Sequence, residues 1–244
     1  MKKFDLDRNY FTQIGLDSGA LTMLGTIVHS LKEPGEYRGT VRRGNLPEAS
    51  FYISADRNSP VAHVNIDLAS LGGDSAQEPD PDCCKEKDKN HFVVNPRGYA
   101  LFRVSGGPGG YRVHVRKAEE DDQTKVYDSS QLEDGDIFSA IIVRPGKYSL
   151  KNLVNRAEAE VTVSYPVRGK TAYRPPNPVS VRCDSDGFSP GQIRLKPGQG
   201  LNCHIEAPAR IKIELVEPDD GRGEYREPVK RGWQKRSLSE QSEC

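Results

Sequence analysis

The sequence predicts an all-β protein made of two or more β-sandwich units, with irregular linkers between them and a flexible C-terminal tail. Three observations lead to this fold class. Short stretches rich in Val, Ile and Tyr alternate in polarity with a period of two, which is typical of strands. Glycine and proline, 23 and 17 of 244 residues, fall between these stretches as turn residues, and no long helical periodicity occurs.

Chain length predicts more than one unit. A single core usually stops growing at roughly 100 to 200 residues, so 244 residues favour two domains. Hydrophobic residues make up only 35%, which predicts thin cores with much loop.

Charge and hydropathy argue against two classes of partner. Basic and acidic residues number 35 each, so no net field attracts nucleic acid. No stretch approaches the roughly 20 apolar residues of a bilayer span, and residues 1–7 lack the apolar stretch of a signal peptide. The odd number of cysteines indicates reduced thiols, and we expect a cytoplasmic protein. In an oxidising compartment, Cys183 and Cys203 could still pair.

The clearest strand pattern lies at 158–165, where alternate residues are predicted to face the interior: Ala159, Val161, Val163 and Tyr165. The same alternation occurs at 111–116 and 211–215.

A Pro-Gly-x-Tyr motif precedes several predicted strands. It occurs at 34–37, 108–111 and 145–148, with an incomplete copy at 197–200. Pro fixes its own φ and Gly accepts a positive φ, so the pair makes a tight turn that delivers Tyr at the strand start. We expect each Tyr to bury its ring and to return its hydroxyl to the backbone of the turn.

Two stretches resemble known superfolds. The sequence DIF at 136–138, followed by VRPGKY at 143–148, resembles the tyrosine corner of immunoglobulin-like sandwiches, over 92–165. The sequence FSP at 188–190, with IRLKPGQ at 193–199, resembles the opening strands of a cupredoxin-like sandwich. Both superfolds host many functions, so the resemblance implies a fold and no activity.

These patterns divide the chain into six predicted segments. They are an N-terminal β unit (4–71), an acidic loop or linker (72–90), a middle immunoglobulin-like sandwich (91–165), a Pro-rich connection (166–178), a C-terminal set of strands (179–217) and a flexible tail (218–244). Alternatively, the C-terminal strands complete another sheet, which would leave two domains.

Side chains that can bind metal concentrate in the acidic loop. Cys83, Cys84 and His91 carry the thiolates and imidazole that zinc prefers. Adjacent cysteines tend to point apart, however, whereas structural zinc usually takes Cys-x-x-Cys pairs. A solvated loop without a cofactor is therefore favoured, and a zinc site is the alternative.

Two further features have competing interpretations. The glycine-rich segment 105–110 lacks the Lys-Ser/Thr ending of a phosphate loop and leads into a strand, which predicts a hairpin turn. Trp233 lies among basic residues in the tail, where it is either an anchor that docks into a partner or an idle tail residue.

No recognisable spacing of catalytic residues occurs, so the sequence favours a non-enzymatic structural or protein-interaction protein. Unpaired sheet edges predict assembly with further copies as a homo-oligomer, or with another protein. The alternative is a metal- or thiol-dependent enzyme that uses the loop with Cys83, Cys84 and His91.

Overall fold

The computed structural model describes residues 14–44, 49–71, 90–118, 125–166 and 172–219, and it confirms the all-β class. Its single described helix, α1 (Leu68–Leu71), is four residues long, and no helix in these ranges could cross a bilayer. The described strands are β1 (Gly15–Asp17), β2 (Gly25–Ser30), β3 (Gly35–Arg43), β4 (Ala49–Ala55), β5 (His63–Asp67), β6 (His91–Val94), β7 (Tyr99–Arg103), β8 (Tyr111–Lys117), β9 (Lys125–Asp128), β10 (Ile137–Ile142), β11 (Gly146–Asn152), β12 (Glu158–Val163), β13 (Val179–Asp184), β14 (Gly187–Ser189), β15 (Gln192–Leu195), β16 (Gln199–Ile205) and β17 (Ile211–Pro218).

The strands form three sheets. The N-terminal sheet has the order β6-β4-β3-β8-β9, and the C-terminal sheet has the order β1-β17-β11-β12-β15. The central sheet has seven strands in the order β14-β13-β16-β10-β2-β7-β5. Its middle pair, β2 and β10, is antiparallel, with Ile27 opposite Phe138. This pair joins strands from distant parts of the chain into one continuous sheet.

Sequence order and sheet membership differ. The strands within 91–165, β6 to β12, are divided among all three sheets. The strands within 179–217 extend the central and C-terminal sheets, which also contain earlier strands. The six-segment division of the chain stays a prediction.

Inward-facing side chains of all three sheets form one continuous core. The ring of Phe102 on β7 packs against Phe51 of the N-terminal sheet, with centroids 6.1 Å apart, and stacks on Tyr127 of the same sheet at 5.5 Å. On the other side, the Asn152 amide nitrogen of β11 lies 3.7 Å from the Cys183 sulfur of β13. The central sheet therefore shares its inner face with both smaller sheets.

The alternation predicted for 158–165 holds along the strand and fails beyond it. Ala159, Val161 and Val163 are buried, whereas Tyr165 is 48% exposed, so its predicted interior position is wrong. Strand β12 ends at Val163, and a period of two has no meaning past the end of a strand. The Tyr165 hydroxyl instead donates to the Asp219 carbonyl oxygen at 2.9 Å.

Two copies of the Pro-Gly-x-Tyr motif form the predicted hydrogen bond. The Tyr37 hydroxyl donates to the Glu33 carbonyl oxygen, and the Tyr148 hydroxyl donates to the Arg144 carbonyl oxygen, both at 2.7 Å. Both rings are buried. The preceding glycine has a φ of 146° in the first copy and 151° in the second, in the region that favours glycine. Each turn thus ties the start of a strand to the core.

The third copy is different. The Tyr111 hydroxyl accepts a hydrogen bond from Arg43 at 3.3 Å instead of returning to its own turn. The glycine-rich segment before it leads from β7 in the central sheet to β8 in the N-terminal sheet. The predicted hairpin turn at 105–110 is therefore wrong, because the two flanking strands lie in different sheets.

The hydroxyl of Tyr148 is expected to stabilise the C-terminal sheet. Tyr148→Phe removes one hydrogen bond and should lower the free energy of unfolding by about 1 kcal/mol. Urea denaturation would measure this as a lower midpoint with an unchanged m-value. Tyr52→Phe, at a side chain that is 43% exposed, is the matched control and should have no effect. Equal midpoints for the two variants would contradict the role of the turn.

Gly39 is expected to be irreplaceable for a steric reason. A Cβ atom at this position would lie 2.0 Å from the ring of Phe51, which is fully buried. Gly39→Ala should therefore lower the free energy of unfolding by about 2 to 3 kcal/mol through overpacking. Gly106→Ala is the control, since its Cβ meets no atom within 4 Å. Thermal unfolding of both variants checks the prediction, and similar melting temperatures would refute it.

Candidate functional site

The predicted site residues are only partly covered by the structure. Cys83, Cys84 and Trp233 lie outside the described residues. His91 begins β6, an edge strand of the N-terminal sheet, and its side chain is 40% exposed. Within the described ranges, no group of three or more His, Cys, Asp and Glu side chains could hold a metal ion. Zinc binding by the acidic loop stays the untested alternative to a solvated loop without a cofactor.

His91 belongs to a small polar cluster on the outer face of the N-terminal sheet. Its Nε2 lies 3.1 Å from the Ser54 hydroxyl oxygen and 3.8 Å from a Glu36 carboxylate oxygen. The Ser54 hydroxyl also donates to Glu36. In a nucleophilic triad the acid holds the second ring nitrogen, whereas here Glu36 and Ser54 both approach the same nitrogen. This exposed cluster therefore lacks the arrangement of a Ser-His-acid triad.

The two described cysteines are poor nucleophiles. Cys183 and Cys203 are free and buried. Burial raises the pKa of Cys183 to about 11 and that of Cys203 to about 12, because a thiolate loses its hydration in the core. At neutral pH both remain thiols, and thiol chemistry at these positions is suppressed.

The most distinctive polar pair in the described core is His29 with Asp136. His29 lies on β2 with its ring on the inner face of the central sheet, and Asp136 immediately precedes β10. The His29 Nδ1 lies 2.7 Å from an Asp136 carboxylate oxygen, and the two residues are 8% and 3% exposed. The other Asp136 oxygen accepts from the Glu133 backbone N–H at 2.9 Å. The carboxylate is thus fixed on both sides.

Aromatic packing holds the His29 ring. The ring of Tyr127 lies 4.2 Å from it, centroid to centroid. Burial, reinforced by the charges of Asp136 and Asp128, raises the pKa of Tyr127 well above its ordinary value, so the phenol stays neutral. Its buried hydroxyl has no hydrogen-bond partner among the residues that the structure describes. The ring of Tyr127 therefore packs against the imidazole ring of His29 and holds it in place.

The histidine opens onto a cleft of about 380 Å³, which we call the His29 cleft. This volume lies in the range of small-molecule sites. The cleft is lined by His29, Ser30, Lys32, Glu33, Tyr37, Lys117, Val126, Glu133, Asp134, Gly135 and Asp136. No described residue binds the His29 Nε2, so this nitrogen is available to the cleft.

Sequence reasoning did not identify this pair. The strand alternation contained one usable signal, because His29 shares the inward face of β2 with Ile27. A polar side chain on an apolar face usually needs a buried partner. The partner could not be found by spacing, since Asp136 lies 107 residues further along the chain.

A second feature is the outer face of the central sheet, which we call the open face. At its centre, Val28, Leu101 and Ile137 lie side by side in one row across β7, β2 and β10. They are half-buried by their neighbours and stand outside the core. On the same face, Tyr99 lies next to Leu101 along β7 and is 41% exposed, whereas Ile141, 43% exposed, is separated from Ile137 by Ser139. No described element packs over this apolar strip.

The thiol pKa values predict low reactivity. In the native protein at mildly alkaline pH, Cys183 and Cys203 should be alkylated by iodoacetamide at least about 100-fold more slowly than in the unfolded chain. Peptide mass spectrometry distinguishes them from the other cysteines, and the same protein in denaturing urea is the control. Rapid native labelling of Cys203 would contradict its burial.

The two candidate features thus lie on opposite faces of the central sheet: the His29 cleft on the inner side and the open face on the outer side. The comparisons with known proteins do not favour either feature. No family model, no curated protein and no solved structure matches the chain.

Proposed function

We propose that this chain is a non-enzymatic interaction protein that self-associates through the open face of the central sheet. The observation that carries the proposal is the apolar row of Val28, Leu101 and Ile137 at the centre of a seven-stranded sheet. Contiguous apolar surface with a polar rim is typical of interaction sites.

The geometry of the sheet favours a second copy as the occupant. Two sheets can pack face to face about 10 Å apart, and a twofold axis makes such an interface self-complementary. With the axis parallel to the strands and passing between β10 and β2, Ile137 of each copy lies opposite Val28 of the other, and Leu101 lies opposite His204. Each copy then buries its row against the same surface of its partner.

Charges at the two ends of the sheet agree with this arrangement. The same axis brings β13 of one copy opposite β5 of the other. Strand β13 presents Arg182 and Asp184 on the outer face, and β5 presents Asn65 and His63 in the matching rows. Arg182 pairs with Asp184 and Glu206 within its own chain, and it can in addition donate to Asn65 of the other copy, while Asp184 can approach His63.

Three finer predictions belong to this proposal. We propose that the two halves of the chain are sandwiches of the immunoglobulin-like or cupredoxin-like type that share the central sheet, which the hydrogen bonds of Tyr37 and Tyr148 support. We propose a cytoplasmic location, in agreement with free thiols in the core. Docking of Trp233 into a partner stays a prediction, as does the enzyme that would use Cys83, Cys84 and His91.

A charge at the centre of the open face tests the proposal. In a twofold interface, Leu101→Arg introduces two like charges into the apolar row and should weaken self-association by about 2 kcal/mol or more, roughly 30-fold. Sedimentation velocity over a range of concentrations measures the change. We expect a dimer for the unchanged protein and a monomer for the variant.

Tyr52→Arg is the matched control, because it adds the same charge to an exposed position on the N-terminal sheet. This variant should still dimerise. A monomeric unchanged protein at all concentrations, or equal weakening by both substitutions, would rule out the open face as the interface. Circular dichroism verifies that both variants are folded.

A further inference from the structure

We propose that the His29 cleft is a binding site for a primary ammonium group carried on a short apolar body. This inference is independent of self-association, since the cleft lies on the inner side of the central sheet. It depends on one oriented acceptor, on an excess of carboxylates and on apolar walls.

The acceptor is the His29 Nε2. An ionised carboxylate can only accept hydrogen bonds, so the 2.7 Å contact with Asp136 assigns the proton of the neutral ring to Nδ1. The lone pair of Nε2 then points away from Asp136. Asp136 and Tyr127 fix the ring on two sides, which lowers the entropic cost of binding a donor. Nε2 belongs to a residue that is only 8% exposed, and it has no described partner.

The charge of the lining selects a cation. Among the described lining residues there are four carboxylates and two ammonium groups, a formal net charge of −2 with neutral His29. Lys117 pairs with Glu33 at 2.6 Å, and the Lys32 ammonium donates to a backbone carbonyl, that of Asp134. The carboxylates of Glu133 and Asp134 have no partner among the described residues. They can therefore receive an incoming positive charge.

A metal ion is a poorer fit than an organic cation. Within the described chain no three ligating side chains converge, and a divalent ion needs several. An ammonium group needs only hydrogen-bond acceptors, and Nε2 with one rim carboxylate supplies two of them. An anion would be repelled by the carboxylates of Glu133 and Asp134, which have no partner among the described residues.

The walls of the cleft accept an apolar body. Val126 and the buried ring of Tyr37 contribute apolar surface, and the alkyl stems of Lys32 and Lys117 extend it. A volume of about 380 Å³ accommodates a short alkyl chain with its ammonium group. Two ligand sources have this chemistry: a free alkylamine and a lysine side chain of another protein.

Titration calorimetry with butylammonium tests the proposal. We expect saturable binding of one butylammonium per chain, and no binding of butyrate, which has the same number of carbon atoms and the opposite charge. The double variant Glu133→Gln, Asp134→Asn changes only exposed side chains and should weaken binding at least tenfold. Glu160→Gln, an exposed carboxylate on β12, is the matched control and should bind normally.

His29→Ala should abolish binding of butylammonium. If this variant does not fold, the double variant Glu133→Gln, Asp134→Asn still tests the proposal. In the unchanged protein, the ¹⁵N resonance of the His29 Nε2 should shift on titration with butylammonium, whereas a purely structural histidine would not respond.

A capped lysine, Nα-acetyl-lysine methylamide, distinguishes the two ligand sources. Binding comparable to that of butylammonium indicates a lysine side chain, and binding of butylammonium alone indicates a free amine. Absence of butylammonium binding, or equal affinity for butyrate, would overturn the proposal.

Discussion

The antiparallel pairing of β2 with β10 is the constraint on which the rest of the molecule depends. Its register puts Ile27 opposite Phe138, both fully buried, and so links the inner faces of the two halves of the central sheet. One step beyond the paired residues Val28 and Ile137, the same register brings His29 to Asp136. A shift by one residue would turn every side chain of β2 to the opposite face. After such a shift, the hydrophobic core, the His29 cleft and the open face would all be lost.

Burying polar groups in this core requires partners for them, and the fold provides these through loops. Asn152 is fully buried, and its side-chain oxygen accepts from the backbone N–H groups of Val154 and Arg210 at 3.0 and 3.1 Å. Asp136 is engaged by His29 and by the Glu133 backbone. Because an unsatisfied buried polar group costs about 1 to 3 kcal/mol, these contacts hold the loops in place as well as the side chains. The shape of the His29 cleft depends on such a loop, 133–136.

The two faces of the central sheet have different chemistry. Among the described residues, the inner face is apolar except at Gln199, where β16 begins, and near the end of β2, where one oriented imidazole meets a charged rim. The outer face carries an apolar row between polar edges. Since strand side chains alternate, one strand serves both faces: His29 belongs to the cleft, and its neighbour Val28 belongs to the open face. The proposed ligand binding and the proposed self-association are therefore expected to respond to separate substitutions on the same strand.

The sequence by itself determined the local features. Strand alternation predicted the all-β class and the buried positions Val161 and Val163, and the Pro-Gly-x-Tyr motif predicted the turns that bind back through Tyr37 and Tyr148. These features depend on contacts between residues close in the chain, so a local pattern is enough to indicate them.

Only the tertiary structure decided how the strands are distributed among the sheets and which polar residues meet. The segment 105–110 joins two sheets instead of closing a hairpin, because β7 and β8 each find partners far away in sequence. His29 and Asp136 are 107 residues apart, and their contact is a consequence of the β2–β10 register. Period-two alternation states which face of a strand is buried, but it carries no information about which strand lies alongside.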